Sequence, residues 1–125
     1  MKWLLLLSGG AIGTLVRYSI SLVSMNLWGQ SLPYGTLLAN SLGCLLIGFL
    51  IPFLDLRQWL TQEMSLFLIV GFCGALTTFS TLILQTSDLL KSGFVMRALM
   101  NLLVSVLIGF ALFYIGHLLG SRIQA

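Results

Sequence analysis

Apolar residues gather in four long runs along this chain, at about positions 3–23, 34–54, 64–84 (on to 90 at its longest) and 94–119. Each is near the roughly 20 residues that a helix needs to cross the hydrocarbon of a bilayer. Polar links lie between them at 26–33, 55–63 and 87–92. Strands of a membrane β-barrel would be about half as long and would alternate apolar with polar positions. These runs do not alternate. The pattern predicts an all-α membrane protein, one domain over residues 1–125, with four transmembrane helices and no separate soluble unit.

Composition sets the solvent. Of 125 residues, 58% are hydrophobic and 7% charged, whereas a soluble domain carries roughly a quarter charged residues. There is too little charge to cover a water-facing surface. The opening "MKWLLLLSGGAIG" has the lysine and apolar core of a secretory leader. It lacks a small-x-small cleavage site followed by a polar chain, so it reads as the first span. A net charge of +3 is small and scattered, which argues against nucleic acid as a partner. Cys44 and Cys73 both fall inside predicted spans, where an apolar setting leaves thiols inert, so neither a disulfide nor a metal site is expected of them.

The polar positions inside the runs carry the chemistry. No carboxylate is among them: Asp55, Glu63 and Asp88 stand at or near span ends. A proton-coupled exporter of organic cations, of the small multidrug resistance type, needs a buried carboxylate to swap protons for substrate. Its absence disfavours that reading. Arg17 is the one charge well inside a run. Burying it costs at least a few kcal/mol on the insertion scale, so it must face protein or water and find a partner. It reads either as an anion attractor at a vestibule or as a snorkelling or helix-capping arginine. Asn40 lies in mid-span, and Asn101 and Ser105, four apart, share one helix face. Each suits a bond to a neighbouring helix. With the threonines of the third run they also form a sparse ladder of neutral donors. Such donors strip water from an anion without trapping it as a lysine would, the balance that conduction requires. Gly9 and Gly13, and Gly43 and Gly48, read as close-packing positions.

Charge gives little orientation. Four spans put both termini and the 55–63 link on one side, with Lys2, Arg57 and Arg122, and the other links opposite, with Lys91, Arg97 and the nearby Arg17. Orientation follows an excess of positive charge on one side, and none exists here. Insertion in both directions and weak bias to one direction both fit.

The densest polar cluster is "GFCGALTTFST", Gly71 to Thr81, in the middle of the third run. Glycines and hydroxyls there make the helix easy to interrupt. In lipid an interrupted helix is tolerated only where it is buried in protein or lines a cavity. Its freed carbonyls suit a hard cation and its freed N–H groups an anion. The plain alternative is a kinked, continuous helix whose hydroxyls bond back to carbonyls one turn earlier.

At this point the residues resemble a known family. "GGAIGTLVRY", "GTLLANSLGCLLIG" and "GFCGALTTFST", in that order, with "NLLVSVLIG" as a weaker fourth motif, are similar to the Fluc/CrcB fluoride channels over essentially the whole chain. The resemblance implies an antiparallel, dual-topology homodimer with two narrow pores and a break in the third helix near 74–78. It implies a vestibule role for Arg17 and a fluoride pathway through Asn40, Phe79, Ser80, Thr81 and Ser105. The edge of an aromatic ring is its positive end, which is why a phenylalanine can face an anion. It also implies a structural Na+ at the dimer centre, held by the backbone carbonyls of Gly74 and Thr77. Two positions depart from the pattern: Leu82 stands where the family has a second phenylalanine, and Asn101 where it has a tyrosine. The implied function is passive fluoride efflux across a bacterial inner membrane, with fluoride, lipid and a second copy as partners, and no enzymatic activity. Hydrogen fluoride enters cells neutral and ionises inside, so an anion path lowers the trapped load. A small-cation exporter and a non-transporting membrane subunit are the rival classes.

Overall fold

The computed structural model describes residues 1–55 and 60–124, and every regular element in them is helical. Arg57 of the charge count lies outside the described residues. The helices are α1 (Lys2–Trp28), α2 (Tyr34–Asp55), α3 (residues 62–76), α4 (Phe79–Lys91) and α5 (Val95–Gln124). α1, α2, α3 with α4, and α5 supply four segments long and apolar enough to cross a membrane. The all-helical, four-span reading of the hydrophobic pattern therefore stands.

Local chemistry fixes the helix ends. α1 outlasts its apolar run because nothing between Val23 and Trp28 breaks a helix. It stops at Gly29, whose φ of 73° few other residues adopt and whose N–H donates to the Met25 carbonyl at 2.9 Å. α3 starts where Thr61 Oγ1 accepts the Met64 N–H at 3.2 Å, and Glu63 sits in its first turn, at the positive end of the helix dipole. α4 closes through Gly93, φ 81°, with the Phe94 N–H reaching back to the Leu89 carbonyl at 2.9 Å. α5 has 30 residues and so extends about 45 Å, against a hydrocarbon thickness of about 30 Å. That leaves length enough for its ends, with Arg97 and Arg122, to reach a headgroup region.

Glycine governs the packing, as expected where helices meet in lipid without a hydrophobic drive. α1 lies on α3 through Gly9 and Gly13. A Cβ at Gly9 would overlap the Phe67 carbonyl, and one at Gly13 the Phe72 carbonyl. α2 lies on α5 through a reciprocal set: Gly48 faces the Phe113 carbonyl, while Gly116 and Gly120 face the carbonyls of Leu45 and Phe49. Gly116 and Gly120, four apart, had the spacing of a packing face and were not singled out from sequence. Gly43 does something else: it leaves room for the Thr77 methyl. Pro52, inside α2, packs its ring beside Gly120.

The third span is the irregular one. Within α3, Leu66–Cys73 is π-helical between the α-helical pieces Gln62–Ser65 and Gly74–Leu76. Such wide turns concentrate at functional sites. Helical backbone ends at Leu76, and Thr77 (φ −90°, ψ 150°) and Thr78 (φ −152°, ψ 118°) are extended before α4 begins at Phe79.

Candidate ion pathway

Two extended residues in the middle of a span leave helical N–H and C=O groups without their usual partners. In lipid each unsatisfied group costs several kcal/mol. Two neighbouring helices meet the need. From α2, Asn40 takes both backbone groups of Thr78: its Oδ1 accepts the Thr78 N–H at 2.7 Å, and its Nδ2 donates to the Thr78 carbonyl at 3.2 Å. From α1, Arg17 Nε donates to the Ala75 carbonyl at 3.0 Å, at the C-terminal, negative end of α3. A bond from a charged donor of this kind contributes about 1.5–3 kcal/mol, which offsets much of the cost of placing Arg17 there. Gly43, one turn beyond Asn40, lets α2 approach the Thr77 side chain closely. Arg17, Asn40, Gly74, Thr77 and Thr78 are thus brought together from three helices.

Hydroxyls complete the local order. Thr78 caps α4, its Oγ1 accepting the Thr81 N–H at 3.3 Å, and donates to Thr81 Oγ1 at 3.1 Å. Ser80 Oγ lies 3.3 Å from the same oxygen. Thr77 Oγ1 turns back to the Cys73 carbonyl at 2.9 Å, which the Thr77 N–H also reaches at 3.0 Å. In a regular helix the carbonyl of Gly74 would accept from the Thr78 N–H and that of Thr77 from the Thr81 N–H. Asn40 holds the first of these amides and the Thr78 hydroxyl the second. Among the described residues, the carbonyls of Gly74 and Thr77 therefore receive no hydrogen bond, and neither does that of Leu76.

Beyond the extended pair, α4 presents two faces. Phe79 is 74% exposed on one, with Ser80 exposed beside it, while Leu82 is 5% exposed on the other. Asn101 on α5 donates through Nδ2 to Thr86 Oγ1 at 2.9 Å, and Thr86 Oγ1 donates to the Leu82 carbonyl at 2.8 Å. Asn101 thus ties α5 to α4 rather than standing free. Ser105, one turn along, has a buried Oγ with no partner among the described residues, as does Gln85 Oε1. Sequence reading missed Thr78 as a cap and clasp point, and missed Thr86 and Gln85 altogether. For the last two, the available signal was a polar residue recurring in an otherwise apolar face.

A cavity of about 500 Å³ opens on the side away from the termini, lined by Ser21, Ser24, Thr36, Gln85, Asp88 and Arg97 among others. Its inner wall reaches Ser21, whose Oγ bonds to the Arg17 carbonyl at 3.1 Å. A water-accessible recess therefore comes within one helical turn of Arg17.

Fold and site together define a small multi-pass membrane protein whose third span carries a polar, partly extended centre clasped by its neighbours. The chain belongs to the family described as "CrcB-like protein, Camphor Resistance (CrcB)", whose profile matches residues 4–117. It is 40% identical over 121 residues to a protein of Dehalococcoides mccartyi named "Fluoride-specific ion channel FluC", covering 97% of this chain and 93% of the relative. Proteins with the same name from Methylobacterium radiotolerans (39% identical, 95% and 84% covered) and Maridesulfovibrio salexigens (38% identical, 98% and 97% covered) are similarly close.

Proposed function

We propose that this chain is a fluoride-specific ion channel, not an enzyme, that lets fluoride leave the cell passively, and that it works as an antiparallel homodimer in the inner membrane of a bacterium. Relatives of that name, similar over nearly the full length of the chain, support the ion and the class. The observation that supports the site is the pair of hydrogen-bond-free carbonyls at Gly74 and Thr77 beside a ladder of neutral donors. Fluoride enters by the recess near Arg17, whose guanidinium still has terminal N–H groups to attract it. Asn40, with one amide hydrogen beyond the one given to the Thr78 carbonyl, and the hydroxyls of Ser80, Thr81 and Ser105 replace its water. Phe79, exposed in the single chain, turns its ring edge to the path in the dimer. Leu82 and Asn101 serve as packing: the one is buried in the protomer, the other holds Thr86.

The donor set fits Na+. Carbonyl oxygens of Gly74 and Thr77 from two antiparallel chains would offer four neutral, hard ligands, whereas Mg2+ keeps its waters and demands six. A bound ion would supply positive charge beside the residues assigned to the anion path. Glu63 and Asp88, the carboxylates of the third span, stand in its first and last turns. That leaves a proton-coupled exporter without one in mid-membrane among the described residues, and a non-transporting subunit has no need of unpartnered polar atoms in its core. Purified protein in liposomes separates these readings: fluoride efflux without chloride efflux is expected, and no fluoride efflux from folded protein refutes the channel.

A further inference from the structure

The two carbonyls at issue are free because Thr77 and Thr78 are extended, and in each case a side chain holds the amide that a helix would have given them. The Thr78 N–H is held by Asn40 Oδ1 at 2.7 Å, and the Thr81 N–H by Thr78 Oγ1 at 3.3 Å. These acceptors hold residues 77 and 78 extended; without them the segment relaxes toward regular helix, in which each amide meets the carbonyl four residues earlier, Gly74 and Thr77 respectively. We propose that Thr78 and Asn40 are positioning residues that keep the Gly74 and Thr77 carbonyls unbonded, and so set the cation affinity at the centre of the protein without touching the cation. The proposal rests on the Na+ reading above and extends it to residues that supply no ligand atom.

Three features make this a division of labour rather than general packing. Each diverting atom serves one carbonyl: Asn40 frees Gly74, and the Thr78 hydroxyl frees Thr77. The Thr77 hydroxyl, which could compete for a nearby oxygen, is instead committed to the Cys73 carbonyl. Of the two carbonyls between them, that of Ala75 is closed off by Arg17 at 3.0 Å, while that of Leu76 is also unbonded among the described residues. Asn40 also carries the free amide hydrogen assigned above to fluoride, so one side chain links the anion path with the cation site. Losing it must therefore alter both.

The test uses the full chain with a near-isosteric pair. Thr78→Val keeps the shape and removes the hydroxyl, and Thr78→Ser restores it. Asn40→Leu removes the other diverting group. Sodium is titrated against thermal unfolding, and the carbonyls of Gly74 and Thr77 are isotope-labelled singly and observed by infrared spectroscopy in sodium-free buffer. In Thr78→Val the Thr77 band should shift to the hydrogen-bonded position while the Gly74 band stays. Asn40→Leu should do the reverse. Half-saturation should need at least about tenfold more sodium in either variant, the effect of one ligand lost to a hydrogen bond, and Thr78→Ser should match the parent. Unmoved bands in folded Thr78→Val overturn the proposal, as does a sodium requirement shared by Thr78→Ser. If the bands move as stated but the parent shows no sodium dependence, the positioning stands and the Na+ reading falls.

Discussion

Gly74 offers a perturbation whose outcome in one chain and in two should differ. Its backbone is ordinary helix, φ −61° and ψ −36°, so nothing about its conformation demands glycine. A Cβ built there would meet only the Ile69 carbonyl oxygen, at 3.8 Å, an ordinary contact. Valine and glycine are both poor helix formers, and their propensities differ by less than roughly 0.5 kcal/mol. Within the protomer, Gly74→Val should therefore be close to neutral. Against a second, antiparallel copy it cannot be, if Gly74 lies on the two-fold axis. Two branched side chains then meet where two backbones should. Overpacking costs about 1–3 kcal/mol per site, and the axis counts it twice. The total of roughly 2–6 kcal/mol raises the dissociation constant at least about thirtyfold. Gly13→Val is the contrasting control, because its Cβ overlaps the Phe72 carbonyl inside the same chain. It should misfold whatever the oligomeric state. The assay mixes donor- and acceptor-labelled copies in liposomes and follows energy transfer on dilution with lipid, with circular dichroism to report helix content and fluoride efflux to report function. Gly74→Val should keep its helix and lose both energy transfer and flux. A variant that associates and conducts like the parent would remove Gly74 from the axis, and with it the carbonyl cage.

Asn40→Asp keeps the acceptor for the Thr78 N–H but sets a second carboxylate oxygen against the Thr78 carbonyl, now 3.2 Å from a donor; the loss of roughly 2 kcal/mol should slow fluoride efflux at least about thirtyfold, and wild-type flux from the folded variant would take Asn40 off the path. Phe79→Ile should nearly abolish efflux, since it deletes the aromatic edge at that level, and equal flux from parent and variant would show the pore is misplaced. Leu82→Phe should conduct as well as the parent or better while unfolding at lower temperature, because a ring must fit a site only 5% exposed and overpacking costs about 1–3 kcal/mol; flux from Leu82→Phe far above that of the parent would mean both ring edges are required. Two lysines added to the 26–33 link should lock one orientation and lower flux until an oppositely locked copy is co-expressed, and full activity of the locked protein alone would exclude the antiparallel dimer.

The sequence by itself determined the solvent, the number of spans and their helical nature. Hydropathy is a property of consecutive residues, and twenty apolar positions in a row admit few solutions in a bilayer. It also marked residues 71–81 as the place where the third span would be weakest, since glycine and hydroxyl density is local too. Which two residues there become extended was decided elsewhere in the chain. Asn40 reaches Thr78 from 38 positions away, and Arg17 reaches Ala75 from 58. Arg17 illustrates the difference: in sequence it was an anion attractor or a helix cap, two readings of one charge. Folded, its Nε caps α3, and the anion-attractor role remains a proposal for its terminal nitrogens. Asn101 was legible as polar and half a ladder with Ser105, yet only its bond to Thr86 shows that it joins two helices. A hydrogen bond needs both partners within about 3 Å. Sequence lists the donors and acceptors, and tertiary packing alone chooses which of them meet.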